Sequence, residues 1–184
     1  MANVTAGISD DLSLATPAIV ASTSSGRFSA ITGALLGLEI TLGSSVKAAT
    51  TTATISFTPS GAISYNGGVF ITLSGYQGNF NFYIPCTVFS QSAGSSSYQQ
   101  SCIVEPSSSS SGVAFRVRLY GGNYNALNRI SIVLQSFPTP PNAQAALTNV
   151  AAGTSKDFYA SNPIIIDATT SGTFPAITGA ITGL

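Results

Sequence analysis

The sequence has no histidine and no tryptophan, and only 7% of its 184 residues are Asp, Glu, Lys or Arg, against about 25% in typical domains. Each absence excludes a class of function. Without histidine there is no Ser-His-Asp triad, and the commonest general base is missing. Six cations balanced by six acids supply no basic patch to displace the counterions of a nucleic acid or to hold an anionic membrane surface. No run of 18 or more apolar residues is present, so no helix-type membrane span is expected. The surface must be built from Ser, Thr, Asn, Gln and Gly. With 44% hydrophobic residues the chain has ample material for a core and is not a disordered tail.

What the chain does have is a long internal repeat. Asn3-Val4-Thr5-Ala6-Gly7 through Gly37-Leu38 returns as Asn149-Val150-Ala151-Ala152-Gly153 through Gly183-Leu184, without a gap and at a constant offset of 146 residues. Of the 36 aligned positions 19 are identical, among them Asp11/Asp157, Phe28/Phe174 and the stretch Ala30–Ala34 against Ala176–Ala180. A match of this length reads as about one and a quarter periods of a tandem array. Residues 1–148 are then one full period and 149–184 the start of the next, broken off as a cut within a longer array would leave it. If the fold begins after the nominal repeat start, 149–184 complete a domain begun near residue 39, and 3–38 belong to the preceding unit.

Period-two alternation with β-branched and aromatic residues marks half-buried antiparallel strands. The clearest are 53–58, 69–73, Val113–Tyr120 and 130–135; weaker candidates are 18–23, 35–42, 80–84, 87–90, 101–105 and 164–168. Tyr65-Asn66-Gly67-Gly68 is the strongest hairpin signal, because Asn-Gly accepts the positive φ angles of a type I′ turn. Residues 107–111 read as a polar loop, 136–141 as a Pro-rich connection and 142–149 as a short helix capped by Asn142. About nine short strands without a helical layer predict an antiparallel, immunoglobulin-like β-sandwich.

Cys86 and Cys102, separated by 16 residues and a polar loop, read as one disulfide, which implies an oxidising compartment; two free thiols are the alternative. No metal or other cofactor is expected, since no histidine and no further cysteine can complete a zinc shell. The carboxylates Asp10, Asp11, Glu39, Glu105, Asp157 and Asp167 show no paired spacing for glycoside hydrolysis. Lys47 and Lys156, with Glu39 or Asp167 as the acid, are the candidates for an internal isopeptide bond. Tyr65, Tyr76, Tyr83, Tyr98, Tyr120 and Tyr124 amid many Asn and Gln resemble the composition of a sugar-binding surface. Asn3-Val4-Thr5 is a glycosylation sequon that is not restated at Asn149-Val150-Ala151.

The stretch 53–63 (ATISFTPSGAI) followed by 67–73 (GGVFITL) resembles a motif of very large tandem-repeat proteins on the surfaces of microbial eukaryotes, algae above all. There a Thr-rich strand ending Phe-Thr-x-Ser is followed by an Ile, a Gly-Gly turn and an Ile-Thr-Leu strand. The later cysteine pair and Asn162-Pro163 also fit. The resemblance implies a secreted or wall-associated structural role, in flagellar hairs or extracellular fibres, and brings no functional residues with it. The expectation is a non-enzymatic structural repeat domain, extracellular or on the cell surface. Its partners are copies of itself, head to tail or side by side, with no nucleic acid and no membrane insertion. A carbohydrate-binding or adhesive module, with glycans as partners, is the alternative, and a jelly-roll coat subunit a third.

Overall fold

A computed structural model describes residues 3–9, 19–27, 33–65, 67–79, 83–91, 98–107, 112–120, 123–159 and 164–179. The chain forms two compact units, Met1–Ile31 and Thr32–Leu184. In the first, β1 (Asn3–Ser9) and β2 (Ile19–Arg27) make a two-stranded antiparallel sheet.

The second unit contains β3 (Gly33–Leu42), β4 (Thr50–Pro59), β5 (Gly68–Ser74), β6 (Ile84–Gln91), β7 (Tyr98–Ser107), β8 (Gly112–Leu119), β9 (Arg129–Pro138), β10 (Leu147–Ser155) and β11 (Ile165–Phe174). They close into one barrel in the order β10-β11-β3-β4-β9-β6-β7-β8-β5, with β5 pairing back onto β10. Every pairing is antiparallel except β11 with β3. This corrects the expected immunoglobulin-like sandwich. Inward–outward alternation fits a sandwich and a barrel equally; what decides is the last hairpin. β10 takes the free edge of β5 and β11 the free edge of β3, so no edge remains for a two-sheet stack.

The interior follows from the alternation. In β4, Ala53, Ile55 and Phe57 point inward and are buried, while Thr54, Ser56 and Thr58 are only half-buried. Val69, Ile71 and Leu73 of β5, Phe115, Val117 and Leu119 of β8, and Ile130, Ile132 and Leu134 of β9 fill the same interior. The outer face carries polar pairs such as Ser56 with Ser131, 3.0 Å apart on neighbouring strands. Apolar-in and polar-out is the reverse of the pattern in membrane-spanning barrels. Among the described residues no helix is long and apolar enough to cross a membrane.

Aromatic side chains plug one end of the barrel. Tyr76, Phe137 and Phe174 lie with ring centroids 5.3–6.0 Å apart, and Phe115 meets Phe137 edge-on, the geometry that aromatic quadrupoles favour. The Tyr76 hydroxyl donates to the Pro138 carbonyl, and burial pushes the Tyr76 phenol well above its ordinary value.

Two local readings change. The turn at 64–67 forms, with the Gly67 N–H donating to the Ser64 carbonyl at 2.8 Å, although Asn66 itself lies outside the described residues. It does not make a hairpin: β4 pairs with β3 and β9, and β5 with β8 and β10. Asn-Gly reports a local φ preference, whereas Ile63 bridging Tyr124 on a distant loop carries the chain to another part of the barrel. The expected helix at 142–149 is extended chain: Gln144 bridges Ile177 and β10 starts at Leu147.

Candidate functional site

The place where the repeat meets the fold is the slot between β5 and β3, which β10–β11 fills. β10 lies antiparallel on β5, with Ala151 opposite Thr72 and Gly153 opposite Phe70. β11 lies parallel to β3, with Asp167 beside Gly33 and Thr173 beside Glu39. Small and β-branched residues suit this position. Val150, Ala152 and Phe174 enter the core. Gly172 is required by close approach, because a Cβ there would run into the Leu38 side chain and the Val150 carbonyl. Gly37, at φ +60°, sits within the bulge that separates Leu36 from Glu39 in the β3–β4 register, a conformation glycine adopts without cost.

One polar cluster pins the hairpin. Asp167 is fully buried. Its carboxylate accepts the Ser60 hydroxyl and, at 2.9 Å, the Gly61 N–H, both from the chain that follows β4. The Thr154 hydroxyl lies 3.4 Å from the same carboxylate. A buried carboxylate is tolerable only with such donors, so this contact ties β11 to the β4 end as a latch.

The N-terminal hairpin repeats this element in backbone as well as in sequence. β1–β2 pairs Val4 with Gly26, Ala6 with Thr23, Gly7 with Ser22, Ile8 with Ala21 and Ser9 with Ile19. β10–β11 pairs Val150 with Gly172, Ala152 with Thr169, Gly153 with Ala168, Thr154 with Asp167 and Ser155 with Ile165. These five pairs of the first become pairs of the second on adding the 146-residue offset; the sixth, Asn3 with Arg27, has no counterpart, because β10–β11 shifts register once more between Leu147 and Val150. Both also shift register between Val4/Ala6 and Val150/Ala152, and between Ile8/Ser9 and Thr154/Ser155. The latch is the exception: Ile8 and Ala21 stand where the barrel has Thr154 and Asp167.

The outer face of the slot carries a second feature. Phe70, Thr72, Ala151, Gly153, Ile165 and Thr169 line a shallow open groove of about 270 Å³. Beside it Phe70 stacks on Phe158 at 6.3 Å, and the Arg116 guanidinium covers Phe158 at 4.9 Å while pairing with Glu105 at 3.3 Å. Arg118 contacts both Tyr120 and Tyr159, at 4.7 and 4.5 Å. Neither Phe158 nor Tyr159 was singled out by sequence reasoning, because their loop had no pattern of its own.

Cys86 and Cys102 form a disulfide, S–S 2.06 Å, from directly opposite positions on β6 and β7 in the barrel interior. Such a bond belongs to an oxidising environment. The other singled-out residues do not converge. Tyr76 and Tyr124 are core, Tyr65 and Tyr83 are exposed, and Tyr120 is half-buried; the Tyr98 side chain lies outside the described residues. Lys47 and Lys156 are exposed, and among the described residues the ion pair present is Arg116–Glu105. Asp167 is held by Ser60 and Gly61 rather than by a lysine, so the geometry does not build an isopeptide bond. Glu39 and Asp157 are exposed on separate segments. Asp10 and Asp11, the 107–111 loop beyond Ser107, and Asn162-Pro163 lie outside the described residues, as do the side chains of the Asn3 sequon. Among the described residues no three acidic or thiol side chains cluster in a metal-binding arrangement. No protein-family model and no curated protein sequence matches the chain.

Proposed function

We propose that this chain is a structural repeat domain of an extracellular fibre or cell-surface protein, and that it works by spacing and joining barrels rather than by catalysis. The observation that carries the reading is the barrel-closing hairpin present twice, 146 residues apart, with the same register and the same bulges. Units that recur in this way are strung in series. A closed barrel with an internal disulfide is a stiff bead, and five residues separate β2 from β3 in the sequence. The near-uncharged surface makes the association of beads insensitive to salt. The resemblance of 53–73 to algal surface repeats agrees with this, and the disulfide agrees with an extracellular setting.

Pulling the whole chain from its two ends tests the role. A load-bearing bead unfolds in one cooperative step that releases the 33–179 segment minus the stretch closed by Cys86–Cys102. Gradual extension at low force would contradict it.

A carbohydrate-binding module is the second reading. It is favoured by the groove at Phe70 and by Arg118 set against Tyr120 and Tyr159, since aromatic faces and planar guanidinium groups are suited to sugar rings. A glycan array on the wild-type chain separates the two. A specific sugar retained, and lost in Tyr159→Ala, would move the assignment to this reading.

A further inference from the structure

We propose that hairpin β1–β2 is a closing element for a barrel in trans: it occupies the β5/β3 slot of a second copy of this chain whenever that copy's own β10–β11 is out of place. The inference rests on the structural-repeat reading and names the partner surface within it. Three observations lead to it.

First, the hairpin has the form of the slot. Five of its six pairs and both of its bulges coincide with those of β10–β11, and Val4, Ala6, Gly26 and Phe28 stand at the positions of Val150, Ala152, Gly172 and Phe174. A bulge pattern shared at two sites is a property of the strand pair that a slot can recognise.

Second, the hairpin cannot fill its own chain's slot. β2 in the place of β11 would run parallel to β3, with Ala21 beside Gly33 and Arg27 beside Glu39, by the offset applied to the observed pairs. The chain would then have to return from Arg27 to Gly33, about 20 Å back along the strand at 3.3 Å per residue. Residues 28–32 stretched straight span only about 20 Å. They leave no slack to pass over the barrel, where parallel neighbours need a crossover of roughly a dozen residues. The slot it fits is therefore that of another barrel, which for this chain by itself means a second copy.

Third, the two hairpins differ at the latch. Ala21 offers nothing to the Ser60 hydroxyl and the Gly61 N–H that Asp167 satisfies. In the intact chain the resident hairpin also enjoys the high effective concentration of an intramolecular partner. Exchange between intact copies is thus held off, and the incoming hairpin enters only a vacated slot. The docking mode is strand addition at both free edges at once, and repeated from copy to copy it runs head to tail.

The test uses the full chain carrying Val150→Asp, which puts an unpaired charge at a fully buried position of β10 and leaves Val4 intact. Sedimentation should show monomers for wild type and concentration-dependent oligomers for V150D. Adding Thr5→Cys and Thr72→Cys should link those oligomers between chains, because Thr5 takes the place of Ala151 opposite Thr72. Adding Ala21→Asp restores the latch carboxylate on the incoming hairpin and should lower the concentration of half-assembly about tenfold, the worth of a charge-assisted hydrogen bond; indiscriminate aggregation would be weakened by the added charge. Adding Val4→Asp should abolish assembly. A V150D chain that stays monomeric at every concentration, assembly that survives V4D, or assembly unchanged or weakened by A21D would each overturn the proposal. None of these readouts involves sugar or force, so they fail independently of the structural-repeat reading.

Discussion

Hairpins β1–β2 and β10–β11 align without a gap, pair in one register and bulge at the same places, yet the first is a two-stranded sheet and the second is flanked by strands on both sides. Local sequence therefore sets the hairpin, while its neighbours decide what the hairpin is worth. An isolated two-stranded ribbon is marginal in water. The same ribbon between β5 and β3 removes two edges, buries Val150 and Phe174 and gathers the latch around Asp167. The difference between the hairpins lies in tertiary context and, at the latch, in Thr154 and Asp167 against Ile8 and Ala21.

The sharpest way to break this comparison is to make the same substitution in each. Val150→Asp should cost the barrel about 3–5 kcal/mol, the penalty of an uncompensated buried charge, measured by urea unfolding at low protein concentration. Val4→Asp should shift the same transition by less than about 0.5 kcal/mol. Equal effects would mean that β1–β2 is as much a part of the barrel as β10–β11.

Removing the disulfide by Cys86→Ala and Cys102→Ala should cost about 3 kcal/mol for a loop of this length. Because β10 belongs to the barrel, its amides should lose protection together with those of β6, and those of β1 should not follow. At the latch, Asp167→Ala should destabilise the barrel by about 2 kcal/mol by removing the charge-assisted hydrogen bonds from Ser60 and Gly61. Ala21→Asp should leave the unfolding midpoint of the monomer unchanged.

The smallest difference is seen in alkali. Phe174 packs on Tyr76, whose phenol burial pushes up from its ordinary value of about 10. The folded chain therefore keeps this proton after the unfolded chain has lost it. The stability it contributes is complete below pH 10 and falls by about 1.4 kcal/mol per pH unit above. Subtracting the pH profile of Tyr76→Phe from that of wild type should isolate this slope.

Much of the barrel was legible along the chain. The runs at 53–58, 69–73 and 130–135 lie in β4, β5 and β9, and 113–120 overruns β8 by Tyr120 alone, because alternation of β-branched and apolar residues directly records a half-buried strand. β1 and β10 were not legible. Their shared Asn-Val-x-Ala-Gly-x-Ser pattern is built of small residues with no apolar period, and in β10 it followed a stretch that resembled a capped helix. Closure was illegible for a related reason: which edges a hairpin joins is a long-range pairing, and the alternation of its strands is the same in a sandwich. The latch joins residues 107 apart in sequence, and neither Ser60 in a Pro-Ser-Gly turn nor Asp167 in a strand signals the other. The repeat itself was visible from the start, and it pointed to the slot that alternation could not reveal.

Native-state hydrogen exchange on the wild-type chain, at a concentration where it is monomeric, tests the central claim most directly. Amides of Val150–Ser155 should exchange only with global unfolding of the barrel, and amides of Val4–Ser9, in the same register and with nearly the same sequence, should exchange close to the unprotected rate. Equal protection of the two strands would contradict the account.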